Sequence, residues 1–338
     1  VATSNPAALP AAARVVIIGG GIIGLSVAYH LTKLGWRDVL LLERQKLTGG
    51  TTWHAAGLVR AMLYTANLTK LAQYTIELYR GLEAETGQAT GFKQNGSISI
   101  ATNDERWEEL LRGASMARAF GVEVEVITAQ DAQRLWPLLN IDDVLGAIHY
   151  PNDGQTNPGD TAMALARGAR MGGARIVEDM AVTAIMTRDG RVAGVRTAAG
   201  AVKAEYVVNC AGLWGREVGR MAGVDVPLQA CEHFYAVTEP MAGLSPALPV
   251  MRDMDGSAYY KEDAGKLLLG AFELKAKPWG MDGVPADFCF EELPEDLEHF
   301  QPVLEAAMHR VPALTRVGIR KFFNGPESFT PDVRYQLG

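Results

Sequence analysis

The sequence predicts an α/β protein: a Rossmann-like dinucleotide-binding domain with an inserted α+β domain built on a mixed sheet. Three observations predict it. A buried strand, Arg14–Gly19, runs into a glycine-rich turn and then a helix. A second apolar strand, Asp38–Leu42, ends at Glu43. Short strands and helices follow, and after Val226 they give way to strands set among loops rich in Pro and Gly.

Taken in order, RVVII is apolar after its arginine and reads as a buried strand. Ile22–Leu34 reads as a helix closed by Gly35, and DVLLL completes a βαβ opening. Leu68–Thr86 has helical spacing, with Leu71, Tyr74, Leu78 and Leu82 on one face. Ser97–Ala101 alternates as a strand, Trp107–Phe120 reads as a helix, and Leu135–Asn140 is a loop around Pro137. Pro151–Asp160 is a loop of turn-forming residues. Thr161–Met171 is a helix ended by Gly172 and Gly173. The strands Ala181–Thr187, Val192–Thr197 and Tyr206–Asn209 are separated by turns at Asp189-Gly190 and Ala199-Gly200. HFYAVTE and KLLLGAF read as later strands, and Glu291–Arg310 as helical in part. The expected division places 14–90, 151–226 and 317–338 in the dinucleotide-binding domain and 91–150 and 227–316 in the inserted substrate domain. Residues 1–13, VATSNPAALPAAA, read as a flexible arm.

The chain has 338 residues, 48% of them hydrophobic, enough for two packing units. A net charge of −7 argues against nucleic acid as a partner and gives no support for an anionic membrane. The three widely spaced cysteines offer neither a disulfide framework nor a zinc site, and a reducing compartment is the natural setting. The most apolar stretch, Val15–Ala28, is too short to span a bilayer. The first residues lack the pattern of a secretory signal.

Gly19-Gly20-Gly21-Ile22-Ile23-Gly24 is a GxGxxG turn. Gly19 permits the tight turn, Gly21 lets backbone approach a pyrophosphate, and Gly24 lets the helix pack on the sheet. The helix N-terminus offers free N–H groups to phosphates. Glu43 lies 19 residues past Gly24, where a carboxylate accepts ribose hydroxyls. The competing reading is a glycine-rich turn of an unrelated α/β protein, and the turn alone does not separate FAD from NAD.

The next segment does. Glu43-Arg44 leads into Leu47–Leu58, LTGGTTWHAAGL. With NGSI (95–98), VVNCAGLW (207–214), CEHFYAVTEP (231–240) and GPESFTPD (325–332), the chain resembles the dimethylglycine dehydrogenase and sarcosine dehydrogenase family, within the D-amino-acid-oxidase-like flavoproteins. The resemblance covers nearly the whole chain. It implies an FAD domain, with the flavin 8α-methyl bonded to His54. It implies cofactor contacts from Gly19, Gly21, Gly24, Glu43, Arg44, Thr51, Thr52, Gly57, Val182, Ala211, Gly212 and Trp214. Without the motif, His54 would read as a hydrogen-bonded loop or helix-start residue.

The resemblance also implies oxidation of an N-methyl amine, of the dimethylglycine or sarcosine type, by hydride transfer to flavin. The resulting iminium yields formaldehyde or a folate-bound one-carbon unit. The amine must be neutral to lose hydride, so a nearby His or Tyr takes its proton or sets its pKa. His233 matches the family's active-site histidine, and Tyr259 or Tyr260 its tyrosine, Tyr259 being favoured. Buried core residues are the competing readings. A substrate carboxylate would want an arginine fork, with Arg60 and Arg252 as candidates against the reading of solvated surface arginines. The expected electron acceptor is an electron-transfer flavoprotein or oxygen. No metal is expected. The expected location is the cytoplasm in a bacterium or the mitochondrial matrix in a eukaryote.

The chain departs from the family in stopping at Gly338, before the loop and helix that complete the flavin pocket. The folate-binding region of the dimethylglycine branch is also absent, so tetrahydrofolate is expected only if such a region follows. This reads as a fragment. CEHFY also resembles the regulatory subunit of pyruvate dehydrogenase phosphatase, which lacks the linking histidine. Two other readings therefore stand: a silent regulatory or binding module on the same fold, and a NAD-dependent dehydrogenase.

Overall fold

A computed structural model describes residues 9–337. The chain opens with β1 (Ala12–Ile18), α1 (Ile22–Lys33) and β2 (Val39–Leu42). A 3₁₀ turn (Thr52–His54) leads to β3 (Leu58–Val59), α2 (Ala66–Thr86), β4 (Ser97–Ala101), α3 (Asp104–Ala119) and β5 (Glu125–Ile127). Then come α4 (Ala129–Leu135), β6 (Gly146–Tyr150), β7 (Gly154–Gln155), α5 (Pro158–Met171) and β8 (Arg175–Val177). Next are β9 (Val182–Arg188), β10 (Arg191–Thr197), β11 (Gly200–Asn209) and α6 (Gly215–Met221). The remainder comprises β12 (Gln229–Thr238), β13 (Val250–Asp253), β14 (Ala258–Asp263), β15 (Lys266–Ala271), β16 (Lys277–Pro278), α7 (Leu297–Arg310) and β17 (Ile319–Phe329).

The first sheet has the order β8-β2-β1-β11-β10-β9. Its first four strands are parallel, and β10 and β9 extend it antiparallel. Strand alternation sends Val15 and Ile17 to a core with α1 and α5, and Val16 and Ile18 to a core on the opposite face. A Cβ at Gly168 would lie 2.7 Å from the Tyr29 ring, so glycine lets α5 close on α1.

The second sheet runs β16-β12-β15-β14-β13-β4-β6-β5, with β17 on the other edge of β12. It is mixed because β13 and β4 are parallel. One face carries Ile98, Phe234, Met251, Tyr260 and Leu269 and is covered by Trp136 and Phe300. The other carries Tyr235, Val237, Tyr259 and Leu268 and meets Ala56 and Leu58 of the first unit.

Several expectations are corrected. Strand β17 (Ile319–Phe329), expected in the flavin unit with 317–338, pairs with β12 along its length and so belongs to the second sheet. Of the expected arm 1–13, Ala12 and Ala13 lie in β1, paired with Lys203 and Ala204, and residues 1–8 lie outside the described residues. Leu71 and Tyr74 are exposed on α2, whose buried stripe is Thr69, Ala72, Ile76 and Leu82. The helix turns that stripe toward Val59, Met62 and α5, while the Tyr74 hydroxyl meets His30 Nε2 at 2.8 Å. The helices at 66, 104 and 158 start earlier than expected because Thr65, Asn103 and Asn157 cap them.

Arg310 ties α7 to the second sheet. It is 3% exposed, and its Nε meets Asp253 Oδ2 at 2.8 Å while its Nη1 meets Asp143 Oδ1 at 2.7 Å. Removing one partner strands a buried charge. Arg310→Ala should therefore cost about 3–5 kcal/mol in urea unfolding, and a loss below about 1 kcal/mol would refute this role.

Candidate functional site

The turn between β1 and α1 has no room for side chains at Gly19 and Gly24. Gly19 has a φ of +112°, and a Cβ there would sit 2.3 Å from the Cys210 carbonyl oxygen beyond β11. A Cβ at Gly24 would sit 2.0 Å from Gly19 O. At Gly21 it would meet only Thr52 Oγ1, at 3.1 Å, so the backbone is open at the start of α1 as a pyrophosphate requires. Thr52 Oγ1 accepts from the Ile22 N–H at 3.0 Å. Glu43 accepts from the Gly20 N–H at 2.6 Å and the Gln45 N–H at 2.9 Å. Each carboxylate oxygen keeps a lone pair for a ribose hydroxyl. Burial raises the Glu43 pKa, opposed by those two N–H groups and by Arg44.

Of the other expected cofactor residues, Arg44 follows β2, and Ala211, Gly212 and Trp214 follow β11. Arg44 lies over the Trp214 ring at 4.6 Å, and a Cβ at Gly50 would touch that ring at 3.4 Å. Ala211 and Gly212 form the turn that places Trp214, whose N–H donates to Ala211 O. Val182 opens β9, just after Met180, whose N–H donates to Glu43 O at 2.8 Å. Thr51 Oγ1 donates to Pro326 O at 3.2 Å. Gly57 has a positive φ, and a Cβ there would lie 2.1 Å from Thr156 O.

His54 closes the 3₁₀ turn and is 7% exposed. Its Nε2 has no hydrogen-bond partner among the described residues. Its ring lies against Gly325 of β17, where a Cβ would be 2.4 Å from His54 Cε1. Burial, and then neighbouring His233, push its pKa down to about 4. The ring is thus neutral at neutral pH, with a free lone pair. Lys261 Nζ holds the following turn by donating to Ala56 O at 2.8 Å. An open glycine turn, an acid at Glu43 and a buried neutral imidazole together fit FAD.

One face of the second sheet continues the site. Register sets Phe323, Tyr235, Gly270, Tyr259, Arg252 and Ser99 in one row across β17, β12, β15, β14, β13 and β4. His233 lies two residues from Tyr235 on the same face, opposite Gly325. The Tyr259 ring lies over Gly270, where a Cβ would collide with it at 1.8 Å. Burial, and then Glu327 and Tyr235, raise the Tyr259 pKa, so its phenol stays protonated. His233 Nδ1 is 2.8 Å from Glu273 Oε2. Burial opposes charge on His233, but Glu273 and Glu327 outweigh it and raise the pKa.

Tyr260 is not brought to this face. It points into the opposite core against Trp136, with ring centroids 5.9 Å apart. Arg252 is not a surface residue, being 5% exposed, and among the described residues none forms a hydrogen bond or ion pair with its guanidinium. Burial and neighbouring Arg60 lower its pKa, and Asp153 opposes them. Arg60 is half-buried beside it. Asp153 is itself held by Ser97 Oγ and the Ala61 N–H, each at 2.6 Å. Sequence reasoning missed Glu273, Lys261, Gly270 and Gly325. The last lies in the quoted GPESFTPD segment and was assigned no contact.

Residues 14–338 match the family model described as FAD dependent oxidoreductase. The chain is 43% identical over 336 residues to human mitochondrial sarcosine dehydrogenase, covering 98% of this chain and 36% of that protein. It is 42% identical over 330 residues to 4-methylaminobutanoate oxidase (formaldehyde-forming) of Paenarthrobacter nicotinovorans, covering 98% and 40%. It is 40% identical over 340 residues to the mouse mitochondrial pyruvate dehydrogenase phosphatase regulatory subunit, covering 100% and 39%. The chain thus spans about two-fifths of the length of these relatives. Among solved structures, L-proline dehydrogenase from P. horikoshii superposes with a TM-score of 0.87 at 25% identity, covering 98% of this chain and 85% of that one.

The lowered pKa of His54 has a consequence for acid stability. The unfolded ring titrates near 6.5 and the folded ring near 4. Between those values the unfolded state binds more protons. The stability is therefore complete above pH 6.5 and is lost as pH falls through 4. In flavin-free protein, His54→Gln should remove up to about 3 kcal/mol of that decline, at about 1.4 kcal/mol per unit. Urea unfolding at a series of pH values reads this. Identical slopes in the two proteins would refute it.

Proposed function

The chain belongs to the FAD dependent oxidoreductase family, and on that premise we propose that it serves the oxidative demethylation of an N-methyl amino acid by hydride transfer to FAD held covalently through His54. The observation that carries the reading is the buried, neutral His54 with an unpartnered Nε2, set against the strand that pairs with His233. FAD, when bound, supplies the hydride acceptor, with an electron-transfer flavoprotein or oxygen downstream.

The protein's own groups then divide the work. Gly19, Gly21, Gly24 and Glu43 hold the dinucleotide end, and Arg44 and Trp214 flank it. His233 accepts the proton of the substrate ammonium, because hydride loss needs the nitrogen lone pair. Tyr259, kept protonated, donates a hydrogen bond rather than accepting the proton. Arg252, unpaired and buried beside Arg60, receives the substrate carboxylate. The relatives' names, sarcosine dehydrogenase and 4-methylaminobutanoate oxidase, support an N-methyl amino acid and a formaldehyde product.

A second reading has its own support in the 40% identity to a phosphatase regulatory subunit. It makes the chain part of a flavin-binding module without turnover. Anaerobic addition of sarcosine, dimethylglycine or 4-methylaminobutanoate to the flavin-loaded protein separates the two. Demethylation predicts bleaching of the visible flavin band, and His233→Asn should slow it by about a hundredfold or more. Acid precipitation should carry flavin down with wild-type protein and release it from His54→Ala. No bleaching with any of these amines would favour the regulatory reading, and free flavin from wild type would sink the covalent bond.

A further inference from the structure

Glu273 follows β15, which ends at Ala271. Its two carboxylate oxygens do different things. Oε2 meets His233 Nδ1 at 2.8 Å, and Oε1 accepts from the Phe234 N–H at 2.9 Å. The β12–β15 ladder begins one residue later, at Tyr235. Glu273 thus satisfies a backbone donor just beyond the end of the ladder and is clamped to β12 by it. Its side chain is 10% exposed, so the pair has little solvent screening. A carboxylate fixed on Nδ1 makes that nitrogen the protonated one and leaves Nε2 as the free acceptor.

We propose that Glu273 is the positioning residue of the site, fixing His233 in the tautomer and orientation in which its Nε2 accepts the substrate proton. The proposal rests on the reading of His233 as that acceptor. Around His233 stand Glu273 after β15, Glu327 on β17 and His54 on the 3₁₀ turn. Glu327 contributes charge without orientation, because it makes no hydrogen bond to the ring. Glu273 contributes both, and its carboxylate balances the imidazolium formed when the proton arrives.

The test compares wild type, Glu273→Gln, Glu273→Asp and His233→Asn in the full-length, flavin-loaded protein. The readouts are the pH profile of flavin reduction by sarcosine and isotope-labelled histidine NMR of His233. Glutamine keeps an acceptor for the Phe234 N–H but loses the charge. It should lower the His233 pKa by about one unit and move the acidic limb of the rate profile to lower pH. The plateau rate should fall about tenfold or more, with KM changed far less. Glu273→Asp, which keeps the charge, should return the limb toward wild type. An unmoved limb and an unmoved His233 titration in Glu273→Gln would overturn the role of Glu273. An unchanged rate in His233→Asn would instead overturn the acceptor reading beneath it. NMR of the Gln and Asp variants tests the Glu273–His233 coupling even without turnover.

Discussion

The two halves of the molecule meet where the His54 ring lies on Gly325. The turn that carries His54 comes from the first unit, just beyond β2, and Gly325 lies on β17 of the second sheet. Since a Cβ would come within 2.4 Å of the ring, the imidazole takes the space a side chain would fill. Strand β17 is paired with β12 from Gln229 to Thr238, so Gly325 cannot move without shifting its partner, His233. The Lys261 bond to Ala56 O closes the same junction from β14. The glycine turn and the face of the second sheet are therefore placed relative to each other by the His54–Gly325 contact, the Lys261 bond and the packing of Ala56 and Leu58 on Tyr235 and Tyr259.

The field across that junction separates two histidines. Glu273 and Glu327 favour the cationic form of His233, while burial, and then the nearby His233, disfavours that form of His54. One ring keeps a free lone pair and the other gains affinity for a proton. Titratable groups whose environments drive their pKa values apart are suited to different roles. Tyr259 completes the division, since burial holds its hydroxyl in the donor form.

Much of the first unit was legible because its signals are local. A glycine at φ +112° against a neighbouring carbonyl admits no other residue, and Glu43 follows on the next strand. The His54 motif is also contiguous. What escaped depends on partners distant in sequence. Strand β17 lies about ninety residues from β12, and no periodicity announces that pairing. Tyr259 and Tyr260 are adjacent, so strand geometry sends one to each face, but only the tertiary fold says which face is which. Glu273 acquires its role from a histidine forty residues away. The face of α2 was misjudged because the helix packs on Met62 through Ile76 and on α5 through Leu82, a stripe shared with Thr69 and Ala72 that leaves Leu71 and Tyr74 exposed.

Arg252 shows why burial of a charge is informative here. A buried guanidinium without an ion-pair partner is costly, and Asp153 offsets it only through space while its oxygens serve Ser97 and Ala61. With Arg60 beside it, that end of the row has an excess of positive charge. The other end carries His233 with two glutamates. An N-methyl amino acid is a zwitterion whose carboxylate and ammonium match those two ends in sign. On the proposed reading, the row from β13 to β12 orients the substrate before any proton moves. On the same reading, the stability given up in burying Arg252 would be recovered when the carboxylate binds.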